Sequence, residues 1–222
     1  MKIKAIIFGA TGMVGEGVLF NALNNSDVEE VLLISRKPTY MKNPKIKEIL
    51  LDNFYDYSTI ENIISGYNAC YFCLGVSSLA VSKEDYVRIT YNLTMSAAKV
   101  LAKSNPDMTF CYVSGSGTDS SEKGKVRWAR VKGKTENDLL KLPFKSVYLF
   151  RPGFIKPISG LRHAYTASKI LGTIYPLLNV FLKKYICTLQ ALGDAMIQVT
   201  GRGYHKPVLE NIDITALAKS AK

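Results

Sequence analysis

Histidine, cysteine and acidic side chains are scarce in this chain, and each scarcity removes a class of chemistry. The two histidines, His163 and His205, stand in no spacing with Cys, Asp or Glu that would hold a metal, so no zinc site is expected. Of the four cysteines, Cys70 and Cys73 form a C-x-x-C inside the strand-like run 68–74. An odd separation on a strand sends the two thiols to opposite faces, whereas a redox pair would open a helix. Buried, reduced thiols are the expectation. Apolar runs are also short. The longest, 170–182, is interrupted by Gly172, Thr173, Pro176 and Asn179. It falls short of the roughly 20 residues that a bilayer-spanning helix needs. It reads either as a buried helix pair broken at Pro176 or, with Lys183 and Lys184, as an interfacial segment in which 170–184 touches a membrane surface or a partner. Ser114 lies in no G-x-S-x-G elbow, which argues against a hydrolase.

Acidic residues number 18 against 29 basic ones, a net charge of +11 that attracts anions of any kind. No basic cluster is interleaved with aromatics on a nucleic-acid module, so nucleic acid is not an expected partner. Nothing resembling a linker or repeat divides the 222 residues, and a single domain is expected over 1–222. No charged leader with an apolar signal core precedes the first strand, which gives a cytoplasmic expectation.

What is present begins at once. The apolar run Ile3 to Phe8 enters glycines spaced G-x-x-G-x-x-G, with Gly9, Thr11, Gly12, Met13, Val14 and Gly15 forming a strand-to-helix turn. Gly9 permits a positive φ, Gly12 lets a pyrophosphate approach the backbone, and Gly15 lets the helix pack on the strand. The helix then offers free N–H groups to the anion. About 20 residues on, where this architecture reads an adenosine ribose, stand Ser35, Arg36 and Lys37 and no carboxylate. A hydroxyl and two cations suit a 2′-phosphate, so NADP(H) is expected ahead of NAD(H).

Strand-like runs recur at 31–35, 46–51, 69–74, 109–113 and 146–150, separated by helical stretches at 14–24, 57–65, 84–103 and 127–141. Ser82 with Asp85 fits an N-cap, and Pro106-Asp107 a turn. This alternation predicts an α/β fold with a doubly wound parallel sheet, and its ligands at the carboxyl edge. Residues 1–153 would form the cofactor-binding core. After Phe150, Arg151-Pro152-Gly153-Phe154 leaves the sheet, and 154–222 is read as a small, mainly helical substrate region.

The chain resembles the atypical and extended short-chain dehydrogenase/reductase superfamily, in particular its small NAD(P)H-binding, sugar-epimerase-like and Tat-interacting-protein-like oxidoreductases. The pieces that carry the likeness are Gly9-Ala-Thr-Gly12-Met-Val-Gly15, Ser35-Arg36, Asp52-Asn53-Phe54, Cys73-Leu74-Gly75, Val113-Ser114-Gly115-Ser116, Val131-Lys132-Gly133-Lys134-Thr135-Glu136 and Phe150-Arg151-Pro152-Gly153. The resemblance implies a Rossmann-type fold with Asp52 and Asn53 near the adenine, Cys73, Leu74 and Gly75 along the cleft, and Pro152, Gly153 and Phe154 beside the nicotinamide. It also implies a catalytic Ser, Tyr and Lys, the last two spaced Y-x-x-x-K.

Here that segment reads Trp128-Ala129-Arg130-Val131-Lys132. Ser114, with Ser116 as an alternative, matches the serine, and Lys132 keeps the lysine position. Trp128 stands where the tyrosine would be, and an indole N–H has no proton to give near neutral pH. Either another group such as Tyr112, Tyr165 or a water supplies the proton, or the hydride acceptor is a conjugated one protonated by solvent. The expected activity is NADP(H)-linked hydride transfer to a small carbonyl or conjugated acceptor. The alternatives are a non-catalytic NADP(H)-binding redox sensor and a nucleotide-sugar epimerase.

Overall fold

The computed structural model describes residues 2–158, 160–161 and 185–220. Six strands follow the apolar runs of the sequence: β1 (Ile3–Phe8), β2 (Val28–Ser35), β3 (Ile46–Leu50), β4 (Ala69–Phe72), β5 (Thr109–Val113) and β6 (Ser146–Arg151). A short strand, β7 (Phe154–Lys156), pairs with β8 (Ile186–Thr188) outside the main sheet, and β9 (Val208–Glu210) returns to it beside β6. The main sheet has seven parallel strands in the order β3-β2-β1-β4-β5-β6-β9. The strand order reverses between β1 and β4, which opens a crevice at their carboxyl ends.

Both faces of the sheet are covered, which is why its central strands are apolar throughout rather than alternating. On one face Ala5, Ile7, Leu33, Tyr71 and Phe150 pack against α1 (Met13–Asn24) and residues such as Leu192 and Met196. On the other, Ile6, Phe8, Phe72, Phe110 and Tyr112 meet Met95, Leu101 and Leu139. Helix α2 (Lys83–Val87) continues through a π-helical turn, Arg88–Asn92, into α3 (Leu93–Ser104), and α4 (Arg127–Leu139) follows β5. Ser82 caps α2 by accepting from the Asp85 N–H at 3.0 Å, as its spacing from Asp85 implied. Cys70 and Cys73 are free thiols that pack into opposite core clusters.

Three expectations change. The helix expected over 57–65 is a single 3₁₀ turn, Ser58–Ile60, followed by irregular turns. Tyr57, Ile60 and Ile64 are buried there at a spacing that a folded-back loop satisfies as well as a helix does. The helix expected over 84–103 is interrupted by the π turn. Arg151 does not leave the sheet but ends β6, opposite Glu210 of β9, and the chain turns away at Pro152. Beyond the segment that the structure leaves undescribed, α5 (Leu189–Arg202) packs on α1, and α6 (Asn211–Lys219) follows β9. These elements therefore belong to the core of the sheet as well as to its carboxyl end. Among the described residues, no helix is long and apolar enough to cross a membrane. The segment 170–182, most of 170–184, Tyr165 and His163 lie outside the described residues.

Candidate active site

Two cavities, each of about 760 Å³, meet at the carboxyl edge and share Cys73, Leu74, Gly75 and Val76 as a common wall. The outer cleft is built on the glycine loop. Gly9 adopts φ +80°, and a β-carbon there would lie 2.7 Å from the Leu74 backbone nitrogen. At Gly15 it would lie 2.2 Å from the Gly9 carbonyl oxygen, so this position holds α1 against the strand end. Gly12 differs, since only the Gly9 oxygen comes near, at 3.5 Å, and its open side lines the cleft. Gly12 is also the N-cap of α1 and offers no side-chain acceptor, so the first-turn N–H groups have no cap. Thr11 lines the same cleft, Val14 lines the inner cavity, and Met13 packs into the core.

Arg36 and Lys37 stand exposed on the outer cleft, and among the described residues no carboxylate pairs with either. Ser35 is buried and donates its hydroxyl to the Lys37 carbonyl at 2.8 Å, so it braces the turn and presents only lone pairs to a ligand. Asp52 and Asn53 line the same cleft, where Asn53 Oδ1 accepts from the Tyr55 N–H at 3.0 Å. Tyr40, at φ +57°, and Arg88, from the π turn, complete walls that the motifs do not mark.

The inner cavity gathers Ser114, Ser116, Trp128, Lys132, Pro152, Gly153 and Phe154, together with Tyr86 and Tyr185. Trp128 and Lys132 lie four residues apart on α4 and face it together. The indole lies beside Gly117, whose missing β-carbon would stand 3.6 Å from it. The Lys132 ammonium donates to the Ser114 carbonyl. Burial lowers its pKa to about 8, partly offset by the Glu136 carboxylate one turn on. Burial also pushes the Cys73 thiol up to about 12, so this cysteine is no thiolate nucleophile.

The serine position carries an unexpected commitment. The Ser114 hydroxyl points at buried Glu136 Oε1, 2.5 Å away, with the Phe150 carbonyl at 3.1 Å as its other acceptor. Glu136 in turn takes a forked contact from Arg151, whose Nε lies 3.1 Å from Oε1, and Arg151 reaches Ser120 Oγ at 2.5 Å and Glu210 at 3.4 Å. Ser114 is thus tied into a buried ion pair, while Ser116, whose N–H donates to the Pro152 carbonyl, also lines the cavity. Tyr112 does not reach this cavity. It is fully buried in the aromatic core, where desolvation raises its phenol far above the ordinary range. Glu136 and Arg151 both stood in the quoted motifs, but no spacing announced their pairing. Tyr86 had one available signal: it follows the loop after β4, at the carboxyl edge.

No protein-family profile matches the chain. Among curated proteins it is similar to the mitochondrial protein FMP52-2 of Scheffersomyces stipitis, 28% identical over 210 residues (94% of this chain and 90% of that protein). It is also similar to the mitochondrial protein FMP52 of Debaryomyces hansenii, 28% identical over 152 residues (68% and 66%). These names overturn the cytoplasmic expectation. Reduced thiols indicate a reducing environment and do not single out the cytosol. Among solved structures, a short-chain dehydrogenase/reductase oxidoreductase from Burkholderia thailandensis superposes with a TM-score of 0.71 at 10% identity, over 96% of this chain and 93% of that one. The Bordetella bronchiseptica enzyme WbmF, solved with NAD+, gives 0.68 at 11% identity, over 99% and 77%. The chain has the α/β Rossmann-like fold of short-chain dehydrogenase/reductase structures.

Proposed function

We propose that this protein is an NADP(H)-dependent oxidoreductase that reduces a small carbonyl or conjugated acceptor in the inner cavity. The observation that carries this reading is the continuity of an uncapped glycine loop with a second cavity holding Lys132 and Trp128, across one shared wall. The residues fit a dinucleotide. Gly12 and the α1 terminus would take the pyrophosphate, Arg36 and Lys37 the 2′-phosphate, Asp52 and Asn53 the adenosine side, and Lys132 the nicotinamide ribose. Pro152, Gly153 and Phe154 would border the nicotinamide. When bound, the reduced cofactor supplies a hydride. The chain orients the acceptor between Trp128, Phe154 and the Leu74 wall.

Solved neighbours of this fold in complex with NAD support a nicotinamide cofactor, and Arg36, which no carboxylate pairs among the described residues, favours its phosphorylated form. The names of the FMP52 relatives favour action in mitochondria. Two other readings are weaker. A non-catalytic NADP(H) sensor is favoured by Trp128 at the tyrosine position. A nucleotide-sugar epimerase is disfavoured because, among the described residues, Lys132 is the one cation on the inner wall, too little for a second diphosphate. The deciding experiment is calorimetry with NADPH and NADH, followed by NADPH consumption against aldehydes, quinones and nucleotide sugars. Tight NADPH binding with carbonyl or quinone turnover supports the proposal; binding without turnover of any acceptor supports the sensor.

A further inference from the structure

We propose that Lys132 is itself the general acid of this site, its ammonium delivering to the acceptor oxygen the proton that a tyrosine would otherwise give. This rests on the oxidoreductase reading above. Trp128 cannot titrate, Ser114 is turned away into the Glu136–Arg151 pair, and Tyr112 is sealed in the core. Among the described residues, the titratable groups left on the cavity wall are Lys132, Tyr86, Tyr185 and Cys73. Burial raises Tyr86 and Cys73 away from neutrality, which makes them poor acids there, and Tyr185, 42% exposed, stands open to solvent. Burial moves Lys132 the other way, to about 8, close to where an acid is most effective.

Lys132 is also the group with donors to spare. An ammonium has three N–H bonds, and one goes to the Ser114 carbonyl. The nearby Glu136 carboxylate partly offsets the effect of burial on the ammonium, and Arg151 contacts that carboxylate in turn. In the step, the hydride from the reduced nicotinamide bonds to the carbonyl carbon, and the π pair of the C=O takes a proton from Lys132 Nζ. The products are an alcohol, the oxidised cofactor and a neutral Lys132 amine, which regains a proton from water.

The direct test is acetylation of the native protein with acetic anhydride across pH, followed by mass spectrometry of each lysine, with and without NADP+. Lys132 is expected to titrate near pH 8, below the ordinary lysine range; a midpoint within that range overturns the proposal. The second test is Lys132→Arg, which keeps the charge and the ribose contact but releases no proton. It should bind NADPH, as calorimetry reads it, while turnover of 4-nitrobenzaldehyde, a simple carbonyl whose oxygen must be protonated, falls by about 10²–10⁴-fold and the loss of native activity above pH 8 disappears. Unchanged turnover with the same alkaline limb overturns the role of Lys132 and leaves the oxidoreductase reading standing. A native protein that binds NADPH and turns over no acceptor overturns both.

Discussion

Replacing Arg36 with alanine should weaken NADPH and leave NADH alone. Arg36 stands exposed at the end of β2, with Lys37 beside it and no carboxylate partner among the described residues, so its guanidinium is free to fork onto a 2′-phosphate. Losing hydrogen bonds to a charged group costs about 1.5–3 kcal/mol, roughly a 10- to 150-fold change in affinity. Exposure and the neighbouring Lys37 push the effect to the lower end, about tenfold, because solvent screens the contact and the second cation partly compensates. Calorimetry of native and Arg36→Ala protein with both cofactors measures this, and repeating it at higher salt should shrink the NADPH preference. Equal affinity of the native protein for NADPH and NADH, or equal losses for both in the variant, would refute the reasoning.

Gly12→Val should abolish binding of either cofactor while the fold survives. A β-carbon at Gly12 would make only an ordinary contact with the Gly9 oxygen, so the added side chain would occupy the cleft; cofactor binding retained in a folded variant would reduce the glycine to a turn former. Glu136→Ala removes the partner of a guanidinium that is only 11% exposed, and should cost about 3–5 kcal/mol in urea denaturation; a loss no larger than that of an exposed acid such as Glu61 would contradict the buried-pair reading. Trp128→Tyr should lower or leave quinone reduction and create no alcohol oxidation, since the indole serves as a wall of the hydride-transfer pocket. Alcohol oxidation with an alkaline optimum by the variant, alongside a native protein inert to every acceptor, would mark a lapsed tyrosine enzyme.

The core of the fold was legible where burial on both faces leaves a continuous apolar run. Ile3–Phe8 and Thr109–Val113 are strands with the boundaries their residues suggest. The strand-to-helix turn was legible because Gly9 and Gly15 each have a steric task within the fold. What escaped was structure made by distance in sequence. Val208–Glu210 is a strand of three residues, too short for any period, and it forms because β6 offers it an edge. The stretch after Tyr57 buries apolar residues at helical spacing without being a helix. At the site, Ser114, Glu136 and Arg151 come from β5's end, α4 and β6, and their mutual commitment exists only once the sheet has assembled. The sequence alone therefore named the serine without revealing that its hydroxyl is already occupied.

Trp128 is the chain's single tryptophan and lines the cavity proposed for the nicotinamide, so it reports the central claim directly. Its emission overlaps the absorption of reduced nicotinamide. Titration with NADPH should therefore quench Trp128 and raise nicotinamide emission together, with the midpoint that calorimetry gives, and NADP+ should produce no sensitised emission. Saturable NADPH binding without energy transfer from Trp128 would place the cofactor elsewhere and contradict the account.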